Sequence, residues 1–235
     1  MNRYAVIVGL GDFYLNHRTG YSTLNFTFQN VADFSRELKP NIWNKPPMLF
    51  DTTAEKTIII KKLEETIYKF CTNDDDWLLF YYTGHASRFM VKNPNGGGQF
   101  ITYCVTYCEN LKVGFFPGLD QFLTQVDYNN IVELFHKKVP NGHLITILDC
   151  CYAFGLVQNF ASQTSFHSII AASSAVTEAA YDISNSSFFT AFRQCWELPF
   201  SQLSDQLKNL MANMESPNIA EVQIAKNFIN QSLNV

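Results

Sequence analysis

Residues 77–87 read WLLFYYTGHAS: six apolar or aromatic residues from Trp77 to Tyr82, then an abrupt break into Thr83-Gly84-His85. An apolar run with no polar alternation predicts a strand buried on both faces, as parallel sheets require. The same pattern recurs twice. YAVIVGL (Tyr4 to Leu10) closes on Gly11 and Asp12, and LITIL (Leu144 to Leu148) closes on Asp149-Cys150-Cys151. In open parallel sheets the chemistry sits beyond the carboxyl ends of the strands. That rule singles out three places: Gly9 to Asp12, Thr83 to Ser87, and Asp149 to Ala153.

The intervening segments read as helices and turns. Val31, Phe34 and Leu38 recur at helical spacing, and Pro40, Pro46 and Pro47 lead into a short strand at Met48 to Phe50. Thr52 and Thr53 offer N-caps for an amphipathic helix through Ile58, Leu63, Ile67 and Phe70. Phe89 to Val91 and Phe100 to Tyr107 flank a glycine-rich stretch, Asn93 to Gly98, which predicts a β-hairpin. Further along come a helix near Tyr128 to Lys138, a strand at Ser168 to Ala172, helices around Phe188 to Trp196 and Leu203 to Met214, and an edge strand at Val222 to Ile224. Strands alternating with helices predict an α/β fold, a mostly parallel central sheet with helices on both faces. Without repeats or a long linker, residues 1–235 are expected to form a single domain.

Composition narrows the function. The chain has 235 residues, 47% of them hydrophobic and 16% charged, ample for a core. Its 17 Lys and Arg against 21 Asp and Glu give a net charge of −4, so it lacks the basic field of a nucleic-acid binder. No stretch approaches the roughly 18 apolar residues of a membrane span, and the first apolar run is short for a signal peptide. No membrane partner and a cytoplasmic location are expected. The six cysteines contain no CxxC pair and read as reduced thiols, with Cys71, Cys104, Cys108 and Cys195 in packing roles.

Gly9-Leu10-Gly11 stands where a dinucleotide fingerprint would begin, but Tyr14 occupies the third glycine position, so a plain strand-end turn is the better reading. His85 and Cys151, 66 residues apart, end two buried strands and can converge in space. A free thiol, with a pKa near about 8.5, is only slightly ionised at neutral pH, and an adjacent imidazole activates it for attack. Against this stands the habit of cysteine to behave as a small buried hydrophobe, and of a lone histidine to cap a strand. The small-residue break around His85, and an aspartate directly before two cysteines, favour the catalytic reading.

In order, YAVIVGL, FYYTGHAS, LITILDCCYAFG and SSFFTAF resemble the caspase-like cysteine peptidases, above all the metacaspases and their bacterial relatives, from residue 4 to about residue 195. The resemblance implies a caspase-like α/β/α sandwich, large-subunit-like over about 1–155 and small-subunit-like over about 165–235. It implies His85 as general base and acid, Cys151 as nucleophile with Cys150 pointing elsewhere, and an oxyanion hole from the backbone N–H groups of Cys151 and Ala86. Ala86 replaces the family's usual glycine, but only its amide is needed. The arginines with which true caspases read aspartate are absent from the expected places, Tyr21 to Asn25 and the stretch holding Tyr181 and Asp182. Metacaspases read a basic P1 residue, the one before the scissile bond, with carboxylates. Asp149 matches one of these and Asn30 stands at the other. The expected substrate pocket is therefore Asp149, Asn30 and Thr83, helped by Glu178 or Asp182, with arginine or lysine as P1.

Many metacaspases need calcium held by clustered aspartates, but the matching stretch, Asp127-Tyr128-Asn129-Asn130, has amides in place of the paired acids. No cofactor and no calcium activation are expected. Tyr152 to Phe166 contains no charged residue, so an uncleaved chain is expected. With the first strand starting at residue 4, no pro-region is expected either. Control is left to binding, to a partner or to a separately encoded sensor protein. The expected partner in the reaction is a protein or peptide substrate cut by limited proteolysis, and the resemblance suggests a cell-death or self-defence setting. Three alternatives remain open: a silent caspase-like module that binds and regulates a partner, an esterase or thiol acyltransferase using the same dyad, and a zinc site from Cys150, Cys151 and His85, whose spacing fits no standard ligand set. The edge strand at Val222 to Ile224 leaves strand-to-strand dimerisation open.

Overall fold

A computed structural model describes residues 1–11, 23–92, 96–108, 119–157, 166–171, 187–214 and 220–234. Its strands are β1 (Arg3–Leu10), β2 (Met48–Phe50), β3 (Trp77–Gly84), β4 (Ala86–Lys92), β5 (Gly98–Cys104), β6 (Leu123–Thr124), β7 (His143–Asp149), β8 (His167–Ala171) and β9 (Glu221–Gln223). The central sheet runs β2-β1-β3-β7-β8-β9 and is parallel except for β9, which closes one edge antiparallel to β8. The segment after β3 forms the expected hairpin, β4 with β5, to which the two-residue β6 adds a third strand.

Among the described residues six α-helices flank the sheet: α1 (Thr27–Glu37), α2 (Lys56–Glu65), α3 (Gln125–Lys138), α4 (Ala153–Val157), α5 (Ser187–Cys195) and α6 (Phe200–Asn213). Strand side chains alternate between faces. Val6, Val8, Leu78, Phe80, Tyr82, Leu144 and Leu148 therefore pack toward α2, α3, α4 and the hairpin. Ala5, Ile7, Leu79, Tyr81, Ile145 and Ile147 pack toward α1, α5 and α6. The result is a mixed α/β fold with helices on both faces of a central sheet. Among the described residues no helix is long and apolar enough to cross a membrane.

Several local expectations shift. Thr52 and Thr53 do not cap α2; they lie in a 3-10 turn over Asp51–Thr53, and Glu55 precedes the helix. The Thr53 hydroxyl accepts the Phe50 N–H at 2.8 Å, while Asp51 takes a left-handed φ of 41° and its carboxylate accepts the Gly11 N–H at 3.0 Å. The chain must turn here to stitch β2 to the end of β1, so the helix starts later. A π-helical turn, Thr66–Phe70, extends α2 as far as Phe70. The strand read to Tyr107 stops at Cys104, the edge strand sits at Glu221–Gln223, and α4 and β6 had no signal strong enough to read.

The amino end of the sheet is closed by buried polar groups. Arg3, Trp77 and His143 lie in register across β1, β3 and β7. The Arg3 guanidinium stacks 3.9 Å above the Trp77 ring and donates to the carbonyls of Ser232 and Leu233 at 3.2 and 3.0 Å. His143 Nε2 lies 2.6 Å from Ser168 Oγ, which accepts the Ala225 N–H at 3.0 Å. These bonds fasten the C-terminal segment across the sheet.

Candidate active site

At the carboxyl end, β3 and β7 run parallel with Thr83 opposite Asp149. That pairing has an offset of 66 residues, and so do His85 and Cys151, each two residues beyond it. Neighbouring strands stand about 4.8 Å apart, and His85 and Cys151 each lie just beyond the end of one of these two adjacent strands. Both are half-buried and both engage neighbours in the fold.

The backbone around His85 is tightly held. The Tyr82 hydroxyl, with one proton to share, lies 2.7 Å from the carbonyl oxygens of both His85 and Val105. The Val105 N–H donates to the same His85 carbonyl at 2.9 Å. A Cβ at Gly84 would lie 2.7 Å from the Tyr82 hydroxyl and 3.0 Å from the Leu10 carbonyl oxygen, so only glycine lets the chain pass. Antiparallel bonds alternate along a ladder. With His85 bonded to Val105, the Ala86 N–H turns away from β5 toward the open edge of β4.

The two adjacent cysteines diverge. Cys150 is 3% exposed and packs in the core shared with Cys104. Burial, reinforced by Cys104, pushes its thiol well above the usual range, which keeps it protonated and inert. Cys151 is half-buried at the sheet edge. Tyr152, next in sequence, adopts a left-handed φ of 50°, and α4 begins immediately after it. Such a backbone is costly for a bulky residue, about 1–3 kcal/mol, and such strain collects at functional turns.

Asp149 projects toward α1. Its Oδ2 accepts hydrogen bonds from Asn30 Nδ2 at 3.3 Å and from the Thr83 hydroxyl at 3.4 Å. The three residues of the expected substrate pocket thus meet, although Asn30 and Asp149 are 119 positions apart. Asp149 is 7% exposed. Burial and then this carboxylate push the Tyr81 hydroxyl well above its ordinary pKa, while Thr83 acts weakly in the opposite sense. Glu178 and Asp182, together with the 21–22 part of the turn before α1, lie outside the described residues.

The other readings have structural counterparts. At the end of β1, the Gly11 carbonyl accepts the Leu24 N–H at 3.0 Å, and a Cβ on Gly11 would stand 2.5 Å from the Leu24 oxygen. The glycine lets the lead-in to α1 pack closely, as a strand-end turn does. Asp127 serves a capping box: it accepts the Thr124 N–H and hydroxyl at 2.8 and 2.6 Å and pairs with Lys56 at 2.8 Å. Among the described residues no group of three or more His, Cys, Asp or Glu could hold a metal ion.

Sequence reading passed over Tyr82, Tyr152 and Arg88. Tyr82 lay hidden inside an apolar run, and the unusual φ of Tyr152 has no signature in its residue type. Arg88 on β4 meets rings that are far away in sequence. Its guanidinium carbon stands 4.4 Å from the centroid of the Phe100 ring and 5.2 Å from that of Tyr152.

No family model matches the chain, and no curated protein matches it. Among solved structures it is similar to the crystal structure of protein GSU0716 from Geobacter sulfurreducens, with a TM-score of 0.71 and 12% identity over 99% of this chain and 98% of that one. At that identity the likeness concerns the fold.

Proposed function

We propose that the chain is a caspase-like cysteine endopeptidase that cuts after a basic residue. The observation that supports this reading is the pairing of Thr83 with Asp149 on adjacent parallel strands, two residues before His85 and Cys151. In the reaction, His85 takes the Cys151 thiol proton and the thiolate attacks the peptide carbonyl. The oxyanion is received by the Cys151 and Ala86 amides, where each preorganised donor is worth about 3 kcal/mol. His85 returns the proton to the leaving amine, and water then hydrolyses the acyl-enzyme. Asp149, held by Asn30 and Thr83, receives the cationic P1 side chain.

A peptidyl acyloxymethyl ketone with arginine at P1 tests the reading by mass spectrometry. Labelling is expected at Cys151 and not at Cys150, and is expected to collapse in His85→Ala. Labelling spread over several cysteines, or unchanged by loss of His85, would contradict it.

A further inference from the structure

Resting on that reading, we infer that Arg88 forms a carboxylate-binding subsite on the leaving-group side of Cys151, so that the preferred substrate carries an acidic residue just after the scissile bond. Arg88 is half-buried on β4 and enters none of the ion pairs among the described residues. What holds it is aromatic: its guanidinium packs against the rings of Phe100 and Tyr152. Aromatic rings supply no carboxylate to such a group, whose planar fork of N–H donors is matched to one. Tyr152 follows Cys151 directly, so this fork is anchored to the nucleophile's own turn.

The placement relative to Asp149 sets the substrate's polarity. Asp149 reaches toward Asn30 on α1, on the sheet face that holds Tyr81 and Ile147. Arg88 belongs to the hairpin, whose Ala86 and Cys104 pack with Cys150 on the opposite face. An anionic and a cationic group therefore flank the ends of β3 and β7 from opposite sides. A peptide crossing that edge with its cationic P1 side chain toward Asp149 passes its leaving-group half over the hairpin, where Arg88 waits.

The test uses three quenched-fluorescence peptides, alike except for aspartate, serine or lysine in the two positions after a P1 arginine. The wild type should show kcat/KM about tenfold higher for aspartate than for serine, and lower still for lysine. Arg88→Gln should bring the aspartate-to-serine ratio to about one, Arg88→Lys should keep part of it, and Arg88→Glu should invert the order in favour of lysine. Because the readout is a ratio, a general loss of activity through disturbance of Tyr152 cancels. A flat wild-type ratio, or one of ten that survives Arg88→Gln, overturns the subsite while leaving the peptidase intact. If no peptide is cut and Cys151 resists the arginine ketone, the peptidase reading itself fails and the subsite falls with it.

Discussion

Both ends of the central sheet bury polar side chains, but to opposite effect. At the amino end, Arg3 and His143 turn inward and bind the C-terminal segment through Ser232, Leu233 and, by way of Ser168, Ala225. At the carboxyl end, Asp149 is oriented by Asn30 and Thr83, while Cys151 and His85 sit half-exposed beyond it. The first arrangement closes a network with groups from the chain itself. The second holds its backbone tightly around His85 and leaves His85 and Cys151 half-buried. Buried polarity alone therefore does not mark a site, and the proposed one is told apart by being positioned yet only half-buried.

Breaking the amino end should harm stability. Trp77 is fully buried beneath Arg3, with its ring 4.6 Å from His143 and 5.5 Å from Phe228. Trp77→Ala should lower unfolding free energy by about 4 kcal/mol in a urea titration. At the other end the expected effect falls on specificity: Asp149→Asn, which keeps the side chain's shape, should reduce kcat/KM on arginine-P1 peptides about 100-fold, some 2.7 kcal/mol, and flatten the P1 preference.

The histidines at the amino end add a pH signature. Burial lowers the pKa of His143 well below the usual value, helped by His167 and Arg3, and lowers that of His167 to about 3. In the unfolded chain each should titrate near about 6.5. Between those values the unfolded state binds more protons, so stability is full above pH 6.5 and falls as the pH drops toward 3. By pH 5 the loss should be about 2 kcal/mol for His167, visible as a falling Tm and reduced in His167→Gln. Smaller still is Tyr82→Phe. It removes one donor shared by two carbonyls and should cost about 1 kcal/mol of stability, with a modest fall in kcat because the His85 turn loosens.

The same contrast explains what the sequence made legible. β1, β3 and β7 announced themselves as unbroken apolar runs, and the glycine-rich stretch before Gly98 announced the hairpin. That His85, Cys151 and Asp149 stand at strand ends was legible because those runs stop there. Which cysteine faces the core follows from strand parity once register is known, since Cys150 shares the face of Leu148 and Leu144. Less could be read where contacts join distant segments. Nothing local tells that Phe100 and Tyr152 will enclose Arg88, that Tyr82 will tie down the His85 carbonyl, or that Asp51 will bond Gly11 and delay the start of α2.

The most direct measurement is kcat/KM on a fluorogenic arginine-P1 peptide for the wild type, Cys151→Ala and Cys150→Ala, each checked for folding by circular dichroism. Turnover is expected in the wild type, with a fall of at least about 1,000-fold in Cys151→Ala and continued turnover in Cys150→Ala. Turnover that persists without Cys151, or a folded wild type that releases nothing after arginine or lysine, would contradict it.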